Sequence, residues 1–249
     1  MAKDNKHHVK KYMLEKRIKK IIFIVLLLIF LILLILYYTI GIIYNNGNFS
    51  VTLDKNLYFD KGLIIYDDKD YKVYRTELLA PSPESFDNIS HKWLPKDIND
   101  SEGGSHNGDN YLAYTFYVEN TGSDVSDYWT EVVIGDVIRN VDSAVRIRIY
   151  KNGEYVTYAK IGGNGQPEPD TVPFLSDELV AITHTPNFRP GDIDKYTLVL
   201  WIEGSDPECT DNILGGEFKV EMKFNSEHID NQSEGEEKWK REIQNMKND

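Results

Sequence analysis

The residues able to do chemistry are few and scattered. Histidine occurs only at His7, His8, His91, His106, His184 and His228, and Cys209 is the single cysteine. Zinc proteolysis is most recognisable as H-E-x-x-H on one helix, where two imidazoles hold the metal and the glutamate takes a proton from water. That motif is missing, as are the G-x-S-x-G nucleophile elbow, the P-loop and the dinucleotide fingerprint. Cys209 lies within Asp206-Pro207-Glu208-Cys209. Acidic neighbours raise a thiol pKa, the wrong direction for a reactive thiolate. One cysteine excludes an intramolecular disulfide, and a buried, inert thiol is expected.

The richest oxygen cluster is Asp97, Asp100 and Glu102, followed by His106 in Ser105-His106-Asn107-Gly108-Asp109-Asn110. Oxygen ligands at this density suit Ca²⁺. The EF-hand spacing fails, however, because Glu102 stands where that loop needs glycine and Gly108 where it needs glutamate. A polar turn, with Asn and Asp side chains bonded to their own backbone, is the simpler expectation. No catalytic, cofactor-binding or metal-ligating residue is therefore assigned, and Ca²⁺ at this loop is the alternative. The triplets at Asn48, Asn88, Asn99 and Asn231 fit the N-glycosylation pattern, which arises often by chance.

The elements that would carry any site read as strands. Phe49, Val51 and Leu53 alternate with Ser50, Thr52 and Asp54, and Phe218, Val220, Met222 and Phe224 alternate with Lys219, Glu221 and Lys223. This period of two marks half-buried strands. Further runs lie at 63–66, 72–79, 111–119, 128–134, 145–150, 155–159, 179–182 and 196–203. Asn152-Gly153 between two of them is the strongest short hairpin signal. About ten short strands with no strong helix among them predict an all-β, jelly-roll-like or immunoglobulin-like antiparallel β-sandwich. Residues 80–110 and 161–174, rich in Gly and Pro, read as long loops. Residues 226–249 read as a charged C-terminal tail, with a short helix at 236–246 as an option.

One segment fixes the location. Residues 21–44 are 24 uncharged residues in a row, a helix of roughly 36 Å against a hydrocarbon core of about 30 Å. Residues 1–20 carry eight basic and two acidic side chains, leaving 20 basic and 38 acidic in the remainder. Positive charge stays cytoplasmic, so residues 1–20 are expected inside, 21–44 as a transmembrane signal-anchor, and 45–225 as an extracellular domain. Tyr37, Tyr38 and Tyr44 suit the outer interface. The apolar run exceeds a cleavable signal, and Thr39-Ile40-Gly41 is a poor A-x-A. Cleavage near Gly41 would instead release the domain. The acidic exterior excludes nucleic acid as a partner.

Residues 104–120, Gly-Ser-His-Asn-Gly-Asp-Asn-Tyr-Leu-Ala-Tyr-Thr-Phe-Tyr-Val-Glu-Asn, resemble segments of exported Gram-positive surface proteins of the TasA and camelysin type. So do residues 195–209, Lys-Tyr-Thr-Leu-Val-Leu-Trp-Ile-Glu-Gly-Ser-Asp-Pro-Glu-Cys, running into Ile213-Leu214-Gly215-Gly216-Glu217-Phe218-Lys219-Val220. The resemblance covers about residues 48–224 and implies a jelly-roll sandwich on the cell surface, often exported through a dedicated signal peptidase. It implies that TasA-type members build biofilm-matrix fibres by donating an N-terminal strand, and that camelysin-type members are metalloproteases. A retained helix would tether residues 49–54, the segment such a fibre would share. The expected function is a membrane-anchored, non-enzymatic interaction protein working through strand or sheet-edge contacts with other surface proteins or itself. A metal-dependent surface protease and a loop-mediated adhesin or ligand-binding module are the alternatives.

Overall fold

The computed structural model describes residues 2–44, 49–81 and 87–226, in two units divided near Asn46. The first is the helix α1 (Ala2–Tyr44). Its stretch Lys16–Tyr38 is 23 residues long and apolar enough to cross a membrane. The basic stretch, expected as a tail, continues the same helix. Residues 1–40 contain neither Gly nor Pro, and Lys, Arg, Glu, Met and Leu are good helix formers.

The second unit is a two-sheet sandwich. Its strands are β1 (Phe49–Leu53), β2 (Leu63–Tyr66), β3 (Glu77–Ala80), β4 (Gly104–Ser105), β5 (Leu112–Asn120), β6 (Ser126–Gly135), β7 (Val145–Lys151), β8 (Glu154–Ala159), β9 (Val172–Pro173), β10 (Leu179–Phe188), β11 (Ile193–Ile202) and β12 (Lys219–Asn225). One sheet runs β10-β6-β12-β1-β3, and the other β2-β5-β11-β7-β8-β9 with β4 also on β5. Inward residues meet in an aromatic core. Phe116 stacks on Tyr196 at 5.4 Å, and Phe224 meets Phe116, Tyr128 and Tyr196 at 5.9, 5.6 and 5.4 Å. All members of this core fall between Phe49 and Phe224, so the unit carries its own hydrophobic core.

The hairpin at Asn152-Gly153 forms as its sequence dictates. Asn152 and Gly153 have φ of 52° and 94°, the two positive values that a type I′ turn requires, and Lys151 pairs with Glu154.

Three features depart from the sequence reading. First, β1 pairs parallel with β12, from Phe49↔Val220 to Leu53↔Phe224, within an otherwise mostly antiparallel sandwich. Second, the run 72–79 is split between the sheets: Arg75 bridges to Ile65 of β2, whereas Glu77–Ala80 pairs with β1. Third, a short helix α2 (Lys55–Phe59) follows β1, with the Asp54 carboxylate accepting the Asn56 N–H at 2.8 Å. Its one buried residue, Leu57, is too little for a periodic signal.

The long loop after β3 covers the second sheet. Ile89, Leu94 and Ile98 pack on Ala113, Tyr150, Val199 and Trp201, forming a second small core on the face expected to be wet. The option of a helix at 236–246 lies outside the described residues.

Candidate functional site

The described histidines of the β unit serve separate local contacts. His106 Nε2 lies 3.0 Å from Thr115 Oγ1, and burial, then Lys195, push its pKa down. His184 stacks on Trp129 at 4.3 Å, with Asp127 at 3.6 Å. His91 Nδ1 lies 3.3 Å from Glu203 Oε2. The stretch of Asp97, Asp100 and Glu102 holds a cation of its own: Lys195 Nζ donates to the Asn99 carbonyl at 2.6 Å, with Asp100 and Glu102 acting on its charge. Among the described residues, these acids and His106 do not form a group of three close ligand atoms.

Glu203 is a hydrogen-bond hub at the end of β11. It accepts from Trp201 Nε1 at 3.0 Å, Ser205 Oγ at 2.7 Å and the His91 backbone at 2.9 Å. Serine and histidine both face this one carboxylate, so the hydroxyl is not presented to the imidazole and no nucleophile–base pair forms. Burial alone would raise the carboxyl, but bonds from Ser205, Trp201 and the His91 backbone hold it at about 2, against its ordinary 4.5. A depressed carboxyl contributes stability above its unfolded pKa and loses it as pH falls toward the folded value. The urea midpoint should therefore fall between pH 4.5 and 2, and Glu203→Gln should flatten that part of the profile.

The densest cluster is one that the sequence reading missed. Arg146, on the outer face of β7, donates through Nη2 to Asp206 Oδ2 at 2.5 Å and to Glu168 Oε2 at 3.0 Å. The exposures of these three side chains are 4%, 0% and 9%. Glu208 joins them, and Glu168, Asp206 and Glu208 bring carboxylate oxygens within 4.8 Å of one another. Burial, then the hydrogen bond with Glu208, raises Asp206, while Glu208, on the receiving side, is lowered. Glu208 Oε2 is enclosed and has no hydrogen-bond partner among the described residues. With no imidazole and one guanidinium, this set suits structural charge pairing and does not match a zinc centre. Arg146 and Arg148 were legible as alternate strand positions, but Glu168 arrives from a loop that no periodicity predicts. Beside the cluster, Cys209 is half-buried, and burial, then nearby acids, push its thiol up.

The sheet edges are the remaining candidates. The predicted shared strand, β1, is interior: it sits between β12 and β3 with Phe49, Val51 and Leu53 buried. The outer edge of β10 is blunted by Pro186 and by register shifts at both ends. On β8, β9 pairs only with Tyr158 and Ala159, leaving 154–157 without an outer strand among the described residues. Tyr155 and Val156 there are 56% and 41% exposed.

No protein-family model matches the sequence, and no curated protein matches it significantly. Among solved structures, a β-glucosidase from Kluyveromyces marxianus in complex with glucose aligns at 11% identity and a TM-score of 0.24, covering 68% of this chain and 16% of that one. A selenomethionine-labelled form of the Kluyveromyces marxianus β-glucosidase aligns at 10% identity and 0.26, covering 69% and 18%. The chain thus spans under a fifth of these two solved chains, and likeness at this level bears on neither fold nor activity.

Proposed function

We propose that this chain is a membrane-anchored, non-enzymatic surface protein whose β-sandwich acts through sheet-edge contacts with other surface proteins, its own copies included. The observation that carries this reading is the free edge of β8, where Tyr155 and Val156 stand exposed. An apolar strand edge with unpaired backbone groups is a template for another strand. Strand donation by residues 49–54 is the less economical mode, because β1 would first have to leave its own core. Helix α1 is read as a retained anchor with the basic end cytoplasmic, on the strength of its length and flanking charge. Such a tethered subunit fits the base or the surface partner of a matrix assembly of the kind the TasA-like resemblance implies.

Tyr150 and Tyr155 form a pair that does not exchange hydrogen bonds, by the alternation that the two-residue hairpin sets. The Tyr155 N–H therefore points outward, and proline there removes an edge donor without breaking the ladder. Light scattering on residues 47–249 should show concentration-dependent association that Tyr155→Pro abolishes, with circular dichroism unchanged. Equal association of both proteins would defeat the edge reading. Stoichiometric zinc with chelator-sensitive casein cleavage would defeat the non-enzymatic one, and a native N-terminus near Gly41 the tethered one.

A further inference from the structure

The two sheets part between β8 and β10, where the space between them is not filled by side chains. A cleft of about 500 Å³ opens there, within the roughly 300–1,000 Å³ of small-molecule sites. Both walls are largely apolar. Ile149, Val156 and Tyr158 line it from β7 and β8, opposite Val132, Ala181 and Met222, with Thr130 and Thr183, which pair across β6 and β10, beside them. The Thr130 side chain is the informative one. The residue is 2% exposed, and its hydroxyl has no hydrogen-bond partner among the described residues. A buried hydroxyl left unpaired is costly, and a bound group that pairs with it recovers that cost.

The charge around the cleft is already balanced. Lys151 Nζ lies 3.0 Å from Asp194 Oδ2, donates to Thr185 Oγ1 at 2.5 Å, and sits over the rings of Tyr128 and Tyr196 at 5.2 and 5.5 Å. Asp194 is further held by Asn152 Nδ2 at 2.6 Å and by the Tyr128 hydroxyl. Among the described residues that line the cleft, Lys151 is thus paired, His184 lies 3.6 Å from Asp127, and the exposed Glu154 at the rim repels an anion.

We propose that this cleft binds an uncharged, mainly apolar small molecule carrying one hydroxyl or carbonyl group, which pairs with Thr130. Its walls supply affinity by burial of the apolar body, and Thr130 selects the polar end. The site adjoins the β8 edge and shares Tyr155 and Val156 with it, but ligand atoms would meet side chains while a partner strand would meet outward backbone groups.

The test uses residues 47–249, which carry their own core. Fluorescence of N-phenyl-1-naphthylamine should rise saturably with one site per chain, and 1-decanol should displace it while decanoate does not. Thr130→Val, close in shape, should weaken 1-decanol about tenfold, the size of one lost hydrogen bond, and raise the urea midpoint of the ligand-free protein. Val156→Trp, which fills the cleft from its exposed rim, should abolish binding. Absence of saturable fluorescence in the wild type would overturn the proposal. So would displacement by decanoate as effective as by 1-decanol, or affinities unchanged in both Thr130→Val and Val156→Trp. Dimerisation lost in Val156→Trp, without ligand binding in the wild type, would overturn it too and assign the cleft to a second copy.

Discussion

Replacing Arg146 with methionine should cost the sandwich about 3–5 kcal/mol, the usual result of removing one partner from a buried ion pair. Asp206 and Glu168, fully or almost fully enclosed, would lose the guanidinium that Nη2 presents at 2.5 and 3.0 Å. The methionine keeps most of the volume, so the loss reports charge more than packing. The pH dependence separates the two. Asp206 and Glu168 are already raised, burial being the first cause in both. A raised carboxyl is most favourable to folding below its unfolded pKa, and that contribution is lost as pH rises through the folded value. The deficit of Arg146→Met should therefore be largest at neutral pH and shrink below about pH 4. Urea denaturation of residues 47–249 at the two pH values measures it. Adding Glu168→Gln and Asp206→Asn to the same chain should restore much of the midpoint at neutral pH, and a deficit equal at both pH values would point to packing instead.

The second large effect belongs to β1. Phe49 is wholly buried and lies 5.9 and 6.4 Å from the rings of Tyr114 and Phe116 in the opposite sheet. Phe49→Ala should destabilise the unit by about 3–5 kcal/mol, through lost burial and the cavity left behind. A chain beginning at residue 55 should fail to fold alone, because the gap between β12 and β3 would expose both strand edges and the core beneath. Addition of a synthetic peptide covering 47–54 should restore the circular dichroism spectrum. Native-like folding of the shortened chain without peptide would show that β1 is an accessory to the sheet.

Much of this architecture was legible from residue order. Strands at 145–150 and 218–224 could be placed because their side chains alternate, the run at 63–66 because it is wholly apolar, and Asn152-Gly153 fixed one hairpin through its positive φ values. What could not be read was pairing between distant segments. Nothing local tells β1 to align parallel with β12, some 170 residues away by register, since register between strands is decided by the shared core. The cover formed by Ile89, Leu94 and Ile98 was hidden for a related reason. Three apolar residues spaced irregularly in a polar loop form neither a helical nor a strand pattern, yet they meet one surface when the loop folds over β11 and β7. The candidate sites followed the same division. Cys209 could be read as unreactive from its acidic neighbours, whereas the meeting of Arg146 with Glu168 and Asp206, and the unpaired hydroxyl of Thr130, depend on elements brought together from across the chain.

The parallel pairing of β1 with β12 also has a mechanical meaning. A protein held by its N-terminal helix and pulled from beyond Asn225 receives force at Phe49 on one strand and leaves it at the far end of the other. Because Phe49 aligns with Val220 and Leu53 with Phe224, the pull slides the two strands past one another along their length. The cross-strand bonds are then strained together in shear, whereas an antiparallel pair loaded at adjacent ends would unzip one bond at a time. The pairing of the first strand with the last is in this sense a clamp: tension applied through the two ends of the domain loads its bonds together and does not unzip them in turn.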